Sequence, residues 1–245
     1  MVVSKKTPKP YRLPRGKVLV LRTCNKDLSS HGGFQWKDSG VVSCDDWSEV
    51  AECGRGLHGL LWGQGDGSLL NWNEDARWIV AEVAANSIVD LHGKVKFPKC
   101  KVVYCGAKEG AVALISLFAP AGTFVAGGTA TAGDEGTATA GYRGIATAGY
   151  GGIATAGYRG TATAGHGGTA TAGYGGIATA GDRGIATAGY GGIATAGDRG
   201  TAIIKHWDSI AERYRMVLLY PGENGIKANV KYRLDESGSP VEVVG

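Results

Sequence analysis

An eight-residue repeat limits what this chain can fold into more than any other feature of its sequence. From Gly128 it runs Gly-Thr-Ala-Thr-Ala-Gly-Asp-Glu, then Gly-Thr-Ala-Thr-Ala-Gly-Tyr-Arg, then Gly-Ile-Ala-Thr-Ala-Gly-Tyr-Gly. Nine full octads begin at Gly128, Gly136, Gly144, Gly152, Gly160, Gly168, Gly176, Gly184 and Gly192, and a degraded tenth begins at Gly200. A fixed short period means one small unit stacked on copies of itself. Positions two to five of each octad are β-branched or small and suit a four-residue strand. The two glycines and two variable residues suit a turn that can take φ > 0. Of the 42 glycines in the chain, 23 lie between 128 and 200, so the excess is punctuation of a repeat. Collagen is excluded because its period is three, and a disordered linker because Ala, Thr, Ile and Tyr alternate regularly with glycine.

A four-residue strand buries nothing alone, so the octads must stack coil upon coil as a β-solenoid. Alternation puts positions two and four on one face and the two alanines on the other. Alanine is expected to face inward, giving a thin flattened coil of two closely spaced sheets; the alternative, Thr hydroxyls inside, would need stacked Thr ladders to supply a partner for every buried hydroxyl. The seventh position sets the size of a coil. Every second octad has tyrosine there (Tyr142, Tyr158, Tyr174, Tyr190), while the others carry Asp134, Tyr150, His166, Asp182 and Asp198. That segregation predicts two octads, 16 residues, per coil, with a tyrosine ladder along one corner and a mixed polar ladder along the other. Nine octads then make four and a half coils, ~22 Å of stacking.

The unit Gly-Tyr-Arg-Gly-Ile-Ala-Thr-Ala-Gly-Tyr-Gly-Gly-Ile-Ala-Thr-Ala at 141 to 156 resembles the coil of bacterial ice nucleation proteins, Ala-Gly-Tyr-Gly-Ser-Thr-x-Thr. That resemblance covers 128 to 200. It implies Thr-x-Thr rows that order water and a tyrosine ladder used in side-by-side association, here Tyr142, Tyr158, Tyr174 and Tyr190. The first Thr of the row is replaced by Ile145, Ile153, Ile177, Ile185 and Ile193, and the coils are few, which argues against ice nucleation. Outward isoleucines would form an apolar strip on each broad face, the usual mark of a contact surface. The alternative reading is that isoleucine is simply the better β-former in a sheet that tolerates either residue. With Arg143 and Arg159 beside the tyrosines, these residues make the candidate interaction surface.

The repeat is flanked by ordinary sequence. Residues 1 to 15 are a basic, proline-containing arm, expected to be a solvated extended leader. Residues 16 to 119 read as an α+β domain, with strands at Lys17–Cys24, Leu57–Trp62, Trp78–Val83, Ser87–Leu91, Lys94–Phe97 and Lys101–Tyr104. A hairpin is expected over Gly33–Cys44 through Asp38-Ser39-Gly40, a short helix after Asp46 that ends at Gly54, and a helix over Ala107–Phe118. The solenoid occupies 120 to 200. Residues 201 to 245 are a β-rich cap that closes the open sheet edge, with Trp207 and Tyr214 roofing the last alanines. The fold class is thus mainly β: a two-sheet solenoid between an α+β domain and a β cap.

Cys53-Gly-Arg-Gly-Leu-His58, Val80-Ala-Glu82-Val, Lys94-Val-Lys96 and the ending at 225 to 238 resemble an uncharacterised family of phage and bacterial proteins. That resemblance implies a mobile-element setting, and inhibition of a host or defence factor as a use. Arg22, the His58 turn and Glu82 also resemble parts of ADP-ribosyltransferase toxins, but the lysine-rich segment 94 to 105 has no late glutamate. His58 is otherwise expected to be a satisfied polar residue under Trp62.

Charge and thiols narrow the remaining classes. The net charge is +4, and Lys5, Lys6, Lys9, Arg12, Arg15 and Lys17 concentrate the excess in the first segment, where only weak nucleic-acid contact is expected. The repeat is charge-balanced, which disfavours nucleic-acid mimicry. Cys24, Cys44, Cys53, Cys100 and Cys105 have no zinc-like spacing and read as reduced thiols; no metal or cofactor is expected. No apolar run is long enough to span a membrane, and the N-terminus lacks an apolar leader. These features predict a soluble, non-enzymatic protein of a bacterial cytoplasm that binds a protein partner or pairs with itself through the tyrosine ladder. An ADP-ribosyltransferase-like toxin and an ice-binding surface are the alternatives.

Overall fold

The computed structural model describes residues 11–244. Its N-terminal unit contains β1 (Lys17–Cys24), β2 (Gly40–Ser43), β3 (Leu57–Leu61), β4 (Arg77–Ala84), β5 (Val89–Asp90), β6 (Val95–Phe97), β7 (Lys99–Gly106) and α1 (Lys108–Phe118). The strands make one sheet in the order β2-β7-β4-β1-β3-β6-β5, antiparallel throughout. The central strand β4 reads Arg-Trp-Ile-Val-Ala-Glu-Val-Ala because it is covered on both sides. Ile79, Ala81 and Val83 join Val20, Phe97, Val102 and Trp36 on one face. Trp78 and Val80 join Leu19 and Leu21 against Ala111 and Ile115 of α1 on the other. Complete burial of Ile115 contributes roughly 1.5–3 kcal/mol to that packing.

The solenoid follows the expected register. Its strands are β8 (Thr129–Ala132), β9 (Thr137–Ala140), β10 (Ile145–Ala148), β11 (Ile153–Ala156), β12 (Thr161–Ala164), β13 (Thr169–Ala172), β14 (Ile177–Ala180), β15 (Ile185–Ala188) and β16 (Ile193–Ala196). Even-numbered strands pair in parallel with even, and odd with odd, so Ile145 lies over Thr161 and Ile153 over Thr169. The 16-residue coil is therefore two strands and two corners. From Ala138 to Ala196 the strand alanines are buried to 7% exposure or less, a core built from methyl groups alone.

The framework glycines serve a purpose other than a turn dihedral. Positive φ falls at position eight of every octad, whether the residue is Gly151 or an ordinary Arg143, Arg159, Arg183 or Arg199. At position one, a Cβ on any glycine from Gly144 to Gly200 would stand 2.7–2.9 Å from the carbonyl oxygen of the matching glycine one coil earlier. At position six, Gly173 would meet the Gly157 carbonyl at 2.9 Å. Coils stack this closely because the corners are hydrogen-bonded as well as the strands: Arg159 N donates to Tyr174 O at 2.8 Å and Gly151 N to His166 O at 2.9 Å.

The two ends differ. After the last full octad, β17 (Thr201–Asp208) continues the β15 sheet and folds back as β18 (Arg213–Leu219), while β19 (Tyr232–Leu234) pairs antiparallel with β16 and turns into β20 (Pro240–Glu242). Both sheet edges are thus paired at the C-terminal end. The roof is Ile204, Leu219, Ile226 and Tyr232, all within the alanine cluster. Trp207 and Tyr214, expected there, lie outside at 40% and 54% exposure. Strand alternation from the inward Ala202 and Ile204 forces Trp207 outward.

Other local expectations also change. No hairpin forms over Gly33–Cys44. β2 pairs with β7, and Gln35 bridges Ser29 instead. Segment 47 to 54 is irregular, because one short turn cannot offset the cost of helix nucleation; Trp47 packs under the Lys96 ammonium, 5.7 Å from the ring. Ser87–Leu91 contracts to β5 after a turn of 3-10 helix, and Lys101–Tyr104 lengthens into β7. Of the basic arm, residues 1–10 lie outside the described residues. Tyr11 and Leu13 are not a solvated leader: they pack on the α1 face, where the Tyr11 ring meets Phe118 edge-on at 5.4 Å.

Candidate interaction surface and a cavity in the N-terminal unit

Position seven of alternate octads projects from one corner, and parallel in-register stacking sets the rings one above another. Tyr142, Tyr158 and Tyr174 are stacked at 5.2 Å between centroids, with interplanar angles of 10° and 2°. Tyr190 continues the series at 5.7 Å, tilted by 43°. The sequence motif ends there, but the column does not. Trp72 lies 5.6 Å beyond Tyr142 and leads to Trp78, and Tyr214 lies 5.9 Å beyond Tyr190 and leads to Trp207. Eight aromatic side chains therefore run from the N-terminal unit to the cap. Such pairs each contribute roughly 0.5–1.5 kcal/mol beyond area burial. Trp72 and Tyr214 lie outside the repeat in sequence, and nothing in the octad period marks them.

The inner end of the column is a tight joint. Tyr142 covers Gly67, where a Cβ would lie 2.5 Å from the ring, and the Trp72 indole N–H donates to Gly67 O at 2.8 Å. The outer rings are free on one side: Tyr158, Tyr174 and Tyr190 are 40%, 46% and 38% exposed. Two of the position-eight arginines, those that follow a ladder tyrosine, lie against aromatic faces, Arg143 at 4.9 Å from the Trp72 centroid and Arg159 at 5.7 Å from Tyr158. Both border an open cleft of about 930 Å³ with Trp72, Tyr174 and Lys108, where the solenoid meets the N-terminal unit.

The opposite corner is less regular. Tyr150 stacks on His166 at 5.1 Å. Asp134 and Asp182 instead turn a carboxylate oxygen to the next coil, accepting from Tyr150 N and Asp198 N at 2.9 Å. On the broad faces the five isoleucines point outward, with Ile145, Ile153 and Ile185 exposed and Ile177 and Ile193 partly covered. They do not form continuous strips. One face presents Thr129, Ile145, Thr161, Ile177 and Ile193, and the other alternates Thr137, Ile153, Thr169, Ile185 and Thr201.

The residues that resembled a transferase site are not brought together. Leu19 pairs with Glu82 and Arg22 with Ile79 across β1 and β4, so Glu82 and Arg22 occupy opposite faces. Glu82 accepts from the Tyr11 hydroxyl at 2.9 Å. Arg22 and His58 do meet, because β1 and β3 pair only at Val20–Leu61 and Leu21–Leu60 and then part. A cleft of about 810 Å³ opens in the gap. The Arg22 guanidinium crosses it, donating from Nη1 to His58 O at 2.8 Å and lying 4.8 Å from the Trp36 ring. Burial holds its pKa below the usual arginine value. Burial first, then the charges of Lys94, Arg22 and Lys96, push His58 down to about 4, so it is neutral at pH 7.

Arg22 Nε, Trp36 Nε1 and His58 Nε2 are buried without a hydrogen-bond partner among the described residues. His58 is therefore not the satisfied residue expected. Each such group costs about 1–3 kcal/mol. At the mouth, Lys94 Nζ donates to Cys53 Sγ at 2.9 Å and lowers the thiol pKa. The described residues hold no cluster of metal-ligating side chains, and none of their helices is long and apolar enough to cross a membrane.

Residues 18–114 match a family described as a domain of unknown function (DUF7666). The chain is also similar to curated ice nucleation proteins. InaU of Pantoea ananas is 45% identical over 101 residues, 40% of this chain and 10% of that protein. A Pseudomonas syringae protein is 44% identical over 102 residues, 41% of this chain and 9% of its own length. One from Xanthomonas campestris pv. translucens is 39% identical over 106 residues, 42% and 7% of the two chains. The chain thus spans a tenth or less of these relatives. No solved structure matches it. The relatives are named for ice nucleation, and what the chain shares with them is a stretch of about 100 residues. They overturn the cytoplasmic expectation, because ice nucleation proteins are surface proteins.

Proposed function

We propose that this chain is a rigid interaction scaffold that associates with a protein partner, or with a second copy of itself, along the aromatic corner of its solenoid. The observation that carries this reading is the row of stacked, half-exposed Tyr158, Tyr174 and Tyr190, extended by Tyr214 and Trp207 and flanked by Arg143 and Arg159. Large flat rings held in register lose little conformational entropy on docking, which is why Tyr, Trp and Arg dominate binding hot spots. A copy turned about a two-fold axis would present the same column to itself. The test is light scattering of the wild type and of a Tyr158, Tyr174, Tyr190 all-to-Ser variant. A dimer lost in the variant supports self-association; a monomer in both excludes it and leaves affinity capture to find a different partner. Inhibition of a host or defence factor would use the same surface, but the relatives lend it no support.

A second reading is favoured by the relatives and by the outward position of Thr131, Thr147, Thr163 and Thr179, whose hydroxyls form a regular row on one flat sheet. On this reading the faces order water. Droplet freezing above the buffer control, or thermal hysteresis, would support it. Freezing identical to buffer at all concentrations would rule it out.

A further inference from the structure

Three polar atoms without partners among the described residues line one cleft, and they come from separate segments: Arg22 on β1, Trp36 on the following loop and His58 on β3. A buried cation normally sits beside a carboxylate. Among the described residues Arg22 makes no ion pair, and its surroundings are the Trp36 ring, the neutral His58 and the Cys24 and Cys100 thiols. The cleft holds Arg22, Arg55 and Lys94 against Asp45 and Asp46, and the Asp46 carboxylate already accepts from Gly56 N at 3.1 Å. Its volume falls within the range of small-molecule sites.

We propose that this cleft binds a small organic anion. Its carboxylate or phosphoryl oxygens face the Arg22 guanidinium and the Trp36 indole N–H, and its apolar body lies against Phe34, Leu57 and Leu69. The positive charge, the fork of N–H donors and the cation's low hydration suit an oxyanion. Leu69, 53% exposed beside the opening, supplies apolar surface that an inorganic ion would not use. The site is independent of the solenoid corner and stands or falls separately from the scaffold reading.

The experiment is calorimetric titration of the full chain with benzoate, adenosine monophosphate and inorganic phosphate. At least one of the two organic anions is expected to bind at millimolar concentration or below, more tightly than inorganic phosphate. The better of the two identifies the acid group. Bound anion should slow alkylation of Cys53, read by mass spectrometry at that residue, and raise the His58 pKa, read by NMR. Arg22→Met should weaken binding at least tenfold and leave the melting temperature unchanged or higher, because it removes an unpaired buried charge. The proposal is overturned if no probe binds the wild type, if inorganic phosphate binds as well as either organic anion, or if binding survives in Arg22→Met. Should that variant fail to fold, Trp36→Phe keeps the ring and removes the donor: binding several-fold weaker supports the site, and unchanged binding refutes it.

Discussion

The solenoid and the N-terminal unit solve the same problem of burial with opposite materials. In the solenoid one small residue, alanine, fills the core at every level, and backbone hydrogen bonds satisfy strands and corners alike. In the N-terminal unit the core is a mixture of Leu, Val, Ile, Phe and Trp, a lysine is fully buried, and three polar atoms at one cleft have no partner among the described residues. The contrast separates residues that build from residues left over for recognition. The solenoid has almost no freedom inside and presents its chemistry on the outside, whereas the N-terminal unit retains uncompensated chemistry within a cavity.

Four measurements would sharpen or break that contrast. The largest effect is expected where the solenoid has no slack: Gly160→Val places side-chain carbon against the Gly144 carbonyl and should lower stability by more than about 4 kcal/mol in denaturant unfolding. A loss under 1 kcal/mol would mean that the coils can separate. Next is Tyr232→Ala in the roof, where a side chain 3% exposed and its hydroxyl bond to Lys227 N are removed at once, for about 3–5 kcal/mol.

The third probes the cleft by pH. The folded state holds His58 near pH 4 against an ordinary 6.5. The His58 contribution is therefore fully present above pH 6.5 and is lost as pH falls towards 4, because the unfolded chain takes up the proton first. After solvent screening the loss is about 1–2 kcal/mol, and the melting curve of His58→Gln should be flatter over that interval. Equal slopes would remove the unusual environment of this residue. The smallest effect is Tyr158→Ser, about 1 kcal/mol or less of stability, since an exposed ring that serves association contributes little to the isolated fold.

The legibility of the sequence followed the same divide. The solenoid register could be read because tyrosine at every second octad reports on the coil, and alternation set Ala162 and Thr163 on opposite faces; that the alanine face is the inner one needed the structure. The roof could have been read the same way, since counting from Ala202 in twos reaches Ile204 and passes over Trp207. In the N-terminal unit, long apolar strands such as β1 and β4 were visible, but partners were not. β2 joins β7 across more than fifty residues, and the local turn signal at Asp38-Ser39-Gly40 pointed to a nearer hairpin. The Arg22–Trp36–His58 cleft was hidden for the same reason, being made by strand divergence, a property of pairing and not of any one segment. The column beyond Tyr142 and Tyr190 depends on Trp72 and Tyr214, which lie outside the period.

The two unlike corners carry a consequence for how such a chain can grow or shrink. Because the aromatic corner recurs only with each complete coil, loss or gain of sixteen codons leaves every ring above another ring and returns the chain to the cap in phase. Eight codons would exchange the two edges beyond the change, setting Tyr158 over a neighbour such as His166 or Asp182 and delivering β17 to the wrong sheet. The molecule can be lengthened like a ruler, but only in whole divisions.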